Sequence, residues 1–374
     1  MSIEVSIVLP TMNEEKAIGD SIKSIKDALE KLGLKYEIIV VDKSEDRTPL
    51  IAESLGAKVI RQVGSGYGDA YIEGFKHASG KYIVIGDPDG SYEFQELPKL
   101  LAPLLRGEAD IVICSRTRGN IEKGAMPWLH RHIGNPLLTW ILNLFFGVGI
   151  SDAHCGFRAF TRDALERLAL KCKGMEFASE MIIKSRLEGL RIVEVPITYK
   201  KRVGTSKLRS FKDGWRHLRL MLLYSPMYLF LLPGVFFLSV GSILMGYAYF
   251  SVPVRLHTMI LGSMLVLLGF QVLGFGISAK VYAVNRGFEK PSKLTKFFMR
   301  YSVLEEGLVI GGLVTIIGVI LGVYIFVQWR ISGYKALFMV KEAILVLTLV
   351  VTGIQIVFFS FFISVYLLEG IENG

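Results

Sequence analysis

The stretch Lys81-Tyr82-Ile83-Val84-Ile85-Gly86-Asp87-Pro88-Asp89-Gly90 runs from an unbroken apolar segment directly into two aspartates. The apolar part is short and rich in β-branched residues, which suits a strand covered on both faces of a sheet. Pro88 stiffens the turn and Gly90 lets it be tight. Two carboxylates two residues apart can share one hard divalent cation, Mg2+ or Mn2+. Solvated turns often carry such a pair, so its placement decides its meaning. Residues 5–9 end in Pro10-Thr11-Met12-Asn13-Glu14-Glu15, residues 37–42 end in Asp42-Lys43-Ser44-Glu45-Asp46, and 110–114 also read as a strand. Helical patterns lie between them, over 15–32 (Ile18, Ile22, Ile25, Leu29 and Leu32 at helical spacing), 48–55, 70–78 and 97–105. Strands alternating with helices imply a mostly parallel, Rossmann-like sheet. In such sheets the ligand crevice lies beyond the carboxyl ends of the strands, and the polar clusters fall there.

Two further kinds of segment could meet phosphate. Val63-Gly64-Ser65-Gly66-Tyr67-Gly68-Asp69-Ala70 opens a helix, where backbone N–H groups around Gly66 can face an anion. It is neither a P-loop nor a dinucleotide fingerprint. Ser115-Arg116-Thr117-Arg118-Gly119 follows a strand, and Arg202-Val203-Gly204-Thr205-Ser206-Lys207 precedes a basic helix. Arginine supplies bidentate phosphate contacts and lysine a point charge. In Asp152-Ala153-His154-Cys155-Gly156-Phe157-Arg158, His154 beside Cys155 reads as a core pair rather than a metal site.

Composition divides the chain near residue 224. The chain has 374 residues and a formal charge of +9, but residues 1–224 hold 33 of the basic and 28 of the acidic side chains. The last aspartate is Asp213. An aspartate or lysine at mid-bilayer costs about 2.5–3.5 kcal/mol on insertion scales, so the acid-poor remainder suits lipid. Segments 225–254, with a kink expected at Pro233-Gly234, 256–279, 307–328 and 343–368 can each cross the hydrocarbon core. The connection from Lys280 to Arg300 is the most basic, which puts it, the N-terminal part and the C-terminus on the cytoplasmic side. Segments 128–148 (with His130, His132 and Trp140) and 208–224 read as interfacial helices. The expected domains are therefore 1–207, 208–224 and 225–374. Gly311, Gly312, Gly318 and Gly322 suit close helix packing, within one chain or in a homo-oligomer. Disorder, a collagen-like fibre, a disulfide scaffold and an ordinary soluble enzyme are excluded. Three cysteines without paired spacing suit a reducing compartment. Met1 to Glu4 lack the basic region of a signal peptide, so none is expected. No basic stripe with interleaved aromatics points to nucleic acid.

The ordered motifs PTMNEE, VVDKSEDRT, GSGYGDA, DPDGSY, CSRTRG, DAHCGFRAF, GMEFASEM and RVGTSKL resemble the family-2 glycosyltransferases of the polyprenyl-phosphate type. Dolichol-phosphate mannose synthases and bacterial lipid-phosphate glucosyltransferases belong to that group, and the resemblance covers about residues 3–210. It implies a GT-A catalytic domain, ahead of the four spans read from composition. It also implies inverting transfer of a hexose from a GDP-mannose or UDP-glucose type donor to a polyprenyl or dolichyl monophosphate. By that similarity Pro10, Asn13, Glu14 and Asp42 line the nucleotide site, and Asp87 and Asp89 hold Mg2+ or Mn2+. Arg116, Arg202, Ser206 and Lys207 meet phosphates, with Asp89, Arg116 and Arg202 as the catalytic set. Two positions depart from the pattern. Lys43 replaces a second acid, and Ser91, the candidate third metal ligand, replaces a glutamine. Asp213-Gly214-Trp215-Arg216 does not match the QxxRW of processive synthases, which counts against a polymerase.

A lipid monophosphate has a second pKa near ~6, like phosphoserine, and arrives already charged. A dedicated general base is then dispensable, and the work is positioning and charge neutralisation. Two other readings remain open: a lipid-linked-sugar translocase in the tail, and a membrane-anchored nucleotide-binding regulator without chemistry.

Overall fold

Val5–Thr11 (β1) and Tyr36–Asp42 (β2) pair in parallel from Val5 opposite Tyr36 to Thr11 opposite Asp42. That register brings the two polar clusters side by side at one sheet edge. The computed structural model describes residues 3–204, 210–253, 255–285, 291–334 and 339–371. The chain divides into two compact units, Met1–Met221 and Leu222–Gly374.

The first unit is built on a seven-stranded sheet of order β3-β2-β1-β4-β6-β5-β7. Its remaining strands are Lys58–Arg61 (β3), Tyr82–Ile85 (β4), Ile111–Ile121 (β5), Arg158–Thr161 (β6) and Ile192–Tyr199 (β7). Only β6 is antiparallel to its neighbours, β4 and β5. Period-2 alternation splits the sheet residues between two layers. Val5, Ile7 and Leu9 pack with Ile18, Ile22, Ile25 and Leu29 of Ile18–Lys31 (α1) and with Leu97–Leu105 (α4). On the opposite face Tyr67–His77 (α3) approaches so closely that a Cβ at Gly74 would lie 2.3 Å from Val8. Thr48–Ser54 (α2) follows β2, Arg162–Leu168 (α6) follows β6, and Phe177–Leu187 (α7) comes next.

The expected strands and helices are all present, with ends shifted by a few residues. β3, β6, β7, α6 and α7 carried no readable pattern. β3 and β6 have four residues each, and β7 contains Pro196 and mixed polarity. In α7 the run from Phe177 to Ile183 is buried around the whole circumference, so no amphipathic stripe marks it.

Segment 128–148 forms a wide turn, His130–Gly134, continued by Asn135–Phe146 (α5). Segment 208–224 contains Ser210–Tyr224 (α8), and the boundary between the units falls inside that helix.

The second unit contains Leu232–Phe250 (α9), Leu256–Asn285 (α10), the short Lys293–Phe298 (α11), Val303–Ile331 (α12) and Val340–Ile371 (α13). Four stretches are long and apolar enough to span: Met227–Phe250, Leu256–Asn285, Val303–Ile331 and Val340–Leu367. The irregularity expected at Pro233-Gly234 sits just upstream, as the wide turn Met227–Leu231. Pro233 then occupies the first turn of α9, where its missing N–H is harmless. Helices cross where glycines let backbones touch: a Cβ at Gly311 would lie 2.6 Å from the Gly353 carbonyl oxygen. Gly311 and Gly318 thus serve packing of α12 on α13 within the chain, whereas Gly312 faces open space. Gln271 and Gln355 (2.9 Å) and Ser263 and Thr348 (2.7 Å) bond α10 to α13.

Candidate active site

The carboxyl edge of the sheet gathers the ends of β1, β2, β4, β5 and β7. At β2, Asp42 is buried, and its Oδ1 accepts hydrogen bonds from the Thr11 hydroxyl (2.8 Å) and the Ser44 hydroxyl (2.6 Å). Arg61 lies 3.5 Å from its other oxygen. Asn13 sits in the left-handed region at φ 57°, a conformation asparagine tolerates because its side chain bonds locally. There its N–H donates to Ser44 Oγ (2.7 Å), and its Oδ1 accepts from the Glu45 N–H (2.9 Å). The Glu14 N–H donates to Thr48 Oγ1 (2.9 Å), and Pro10 pairs in register with Val41. Pro10, Asn13, Glu14 and Asp42 therefore belong to one cleft wall. Lys43 ties this wall to the glycine loop by donating to the Gly64 carbonyl (2.8 Å).

Gly66 departs from expectation. At φ 120° it packs against the next loop, and a Cβ there would lie 2.2 Å from the Lys173 carbonyl oxygen. The Asp69 N–H, in the first turn of α3, donates to that same carbonyl (3.1 Å). Asp69 itself places a carboxylate in this turn. The chain's own acceptors meet the dipole that was to have cradled phosphate.

At the end of β4, Asp89 Oδ1 accepts from the Ser91 N–H (2.9 Å) and the Ser91 hydroxyl (2.5 Å), while Oδ2 forms an ion pair with Arg202. Ser91 thus donates two hydrogen bonds to Asp89 and orients it. The Val203 N–H donates to the Asp89 carbonyl (2.8 Å) and the Lys200 N–H to the Ser91 carbonyl (2.9 Å), so the loop after β7 is stitched to this turn. Asp87 accepts from the Tyr71 hydroxyl (3.2 Å). Burial, with the Asp89 charge beside it, pushes the Asp87 carboxyl up to about 6, against the pull of Arg202 and the tyrosines.

Arg116 is turned inward. Its guanidinium makes a bidentate pair with Asp152 (2.7 and 2.8 Å) and lies 5.2 Å from the Tyr199 ring centroid, with 8% of the side chain exposed. Arg118, on the same strand, is exposed and meets Glu194 at 3.3 Å. Ser206 and Lys207 lie outside the described residues.

Residues 6–169 match Glycosyl transferase family 2, and residues 277–367 match the Glycosyltransferase family 2 C-terminal transmembrane region. The low-salt glycan biosynthesis hexosyltransferase Agl6 of Haloferax volcanii is 44% identical over 366 residues, covering 96% of this chain and 88% of that protein. The chain belongs to glycosyltransferase family 2. A second Haloferax volcanii protein, a dolichyl-phosphate hexose transferase, is 34% identical over 213 residues, covering 56% of this chain and 89% of its own length. A solved mycobacterial protein shares the fold, with TM-score 0.50 and 23% identity over 59% of this chain and 74% of that one. The first unit is accordingly a GT-A-like domain. The four apolar helices and the matched transmembrane region make this family-2 glycosyltransferase an integral membrane protein.

Several residues that shape the glycosyltransferase's site were assigned no role in it from the sequence. Tyr67 and Tyr71 read as helix aromatics, yet their hydroxyls, 3.4 Å apart, form a ladder under Asp87. Tyr92 accepts the Gly156 N–H (2.8 Å), and a Cβ at Gly156 would lie 2.6 Å from the Tyr67 hydroxyl and 3.1 Å from Asp87 Oδ2. Arg158 is buried and donates to the carbonyls of Ala153, Cys155 and Ala178 (2.8 Å each), fixing this loop on α7. His154 meets the His217 ring edge-on at 4.5 Å, and the Ser179 hydroxyl and His217 Nδ1 share a 2.7 Å hydrogen bond. Burial holds both imidazoles below their ordinary range, His217 at about 4, so both are neutral. His154 is part of that core contact, as its neighbours in the sequence implied.

Proposed function

We propose that the enzyme transfers a hexose, with inversion, from a GDP- or UDP-linked sugar to a polyprenyl or dolichyl monophosphate at the cytoplasmic membrane face. The observation that carries this reading is the Asp87/Asp89 pair closed by Arg202. Buried Asp89 and half-buried Asp87 stand at the strand edge, with a guanidinium where a substrate-bound cation would sit. All-oxygen donors of this kind fit Mg2+ or Mn2+, and the guanidinium is a stand-in positive charge. Among the described residues no group of three His, Cys, Asp or Glu forms a metal cage. Such a site would take its remaining ligands from donor phosphates and water, as Mg2+ sites commonly do. When bound, a divalent ion there supplies neutralisation of the leaving diphosphate.

Asp87 and Asp89 would hold that ion, Asp89 oriented by Ser91. Displaced from Asp89, Arg202 becomes available to a phosphate of donor or acceptor, and exposed Arg118 lies on the neighbouring strand. In this reading Arg116 is a strut that fixes the loop around Asp152, not a phosphate clamp. The acceptor's phosphate oxygen forms the new bond to the sugar C1 as the bond from C1 to the diphosphate oxygen breaks. The nucleophile is already ionised, so the chain needs to position it rather than deprotonate it. Asp42, Asn13 and Pro10 form the wall for the nucleoside. Exposed Phe211, Trp215 and Leu223 of α8, interleaved with Lys212, Arg216 and Arg219, are the pattern of a helix lying among lipid head groups. The relatives' names, a glycan hexosyltransferase and a dolichyl-phosphate hexose transferase, support the same substrate classes.

The test is a donor screen. The purified chain in liposomes is given labelled GDP-mannose, UDP-glucose or UDP-GlcNAc together with polyprenyl phosphate. Label should pass into the lipid phase with release of one equivalent of nucleoside diphosphate. Nucleotide-sugar binding without release by any donor would contradict the assignment.

A further inference from the structure

The membrane unit carries a half-open apolar pocket of about 280 Å3 between α10, α12 and α13. Phe270, Ile277, Ile310 and Phe359 form its walls, and Phe297 and Phe298 of α11 line it as well. Its acidic lining residue, Glu306, is held by Arg300 (2.8 Å) and by the Ser302 hydroxyl (2.7 Å), so it presents no unpaired charge to the cavity. On α11 itself the charge is positive: Lys293 and Lys296 are exposed on the helix, and Arg300, paired with Glu306, lies 4.2 Å above the Phe297 ring.

By the orientation proposed above, the basic connection that carries α11 faces the cytoplasm. An apolar cavity beside an exposed cationic helix, on the side where the sugar is transferred, matches one kind of molecule. That molecule is an anion with a long hydrocarbon tail. We propose that this cavity seats part of the tail of the acceptor, an isoprenoid monophosphate, whose head group is drawn to α11 by Lys293 and Lys296. The inference rests on the acceptor class assigned above and adds where the acceptor's tail is held. The cations concentrate the anionic lipid at the surface, and the cavity, lined by rings and branched side chains, retains its tail.

The experiment compares a long polyprenyl phosphate with a short, water-soluble isoprenoid phosphate as acceptors. Ile310→Trp, which fills the cavity, should raise KM for the long acceptor about tenfold. It should leave kcat, and KM for the short acceptor, as in the unaltered protein. Lys293→Gln and Lys296→Gln should each raise KM for the long acceptor about fivefold at low salt and much less at high salt. An unchanged KM for the long acceptor in Ile310→Trp, or an equal rise for both acceptors, would overturn the proposal. Binding is read separately with a photoreactive polyprenyl phosphate on the full chain in nanodiscs. Labelling of α10, α12 or α13 should be displaced by polyprenyl phosphate and not by phosphatidylglycerol. Equal displacement by phosphatidylglycerol would make the cavity an ordinary acyl-chain groove and overturn the proposal. A protein that transfers no sugar yet labels the cavity contradicts the functional reading alone. One that transfers sugar without such labelling contradicts the tail seat alone.

Discussion

Two aspartate–arginine pairs stand at the same edge of the sheet, and they are built for opposite purposes. Asp152 and Arg116 are closed on every side, with 1% and 8% of their side chains exposed, two parallel N–H···O bonds, an aromatic ring and a backbone N–H. Burial alone would raise the Asp152 carboxyl, but the Arg116 charge and hydrogen bonds hold it below its ordinary value. Asp89 is as buried as Asp152, yet Arg202 is 25% exposed, sits on a loop and engages one oxygen. The first pair is closed by many bonds; the second is held by fewer, and in the proposed mechanism it opens. Motif patterns present the four residues alike; burial and the number of bonds separate them.

The comparison breaks first at its strongest point. Asp89→Ala should lower kcat by about 10³-fold, the scale of losing electrostatic stabilisation in a closed site, with Tm nearly unchanged. Arg116→Ala should do the reverse. Removing one partner of a buried pair leaves an uncompensated charge and costs about 3–5 kcal/mol of stability, read by urea denaturation in detergent. If the two variants exchanged these signatures, the two pairs would have to exchange roles.

A pH titration sharpens the distinction. Asp87 titrates at about 6, above the ordinary aspartate value, so below that pH a proton occupies the carboxyl that a metal needs. Mn2+ affinity should be level above pH 7 and fall by about tenfold per unit below pH 6. The same raised value means that the metal-free protein gains stability from this group as pH falls through 6 and loses it as pH rises. Affinity that stays flat from pH 7 to 5 would show that Asp87 does not ligate. Among the predicted effects the smallest is that of Tyr71→Phe, which removes a hydrogen bond that orients Asp87. Mn2+ binding should weaken about 10-fold, within the range of lost outer-shell partners. No change in Mn2+ affinity would reduce Tyr71 to a packing residue.

The parallel sheet was legible because β1, β2 and β4 are buried on both faces and end in polar clusters. The four spans were legible from the loss of acidic residues. The position of the Asp87/Asp89 pair and of Asp42 at strand ends was legible for the same reason. Arg116 and Gly66 were misplaced because a motif carries no direction. Arg116 points inward only because Asp152, 36 residues on, waits for it, and Gly66 packs on Lys173, more than a hundred residues away. Tyr71 was invisible because an aromatic on a helix reads as core until the fold sets Asp87 above its hydroxyl.

The most direct test of the opening pair is Mn2+ binding to Arg202→Ala, measured by electron paramagnetic resonance without nucleotide, alongside turnover. In the proposed mechanism Arg202 competes with a cation for Asp89 in the empty site and serves phosphate during transfer. Removing it should therefore tighten Mn2+ binding while lowering kcat. Weaker or unchanged Mn2+ binding together with full turnover would contradict the account.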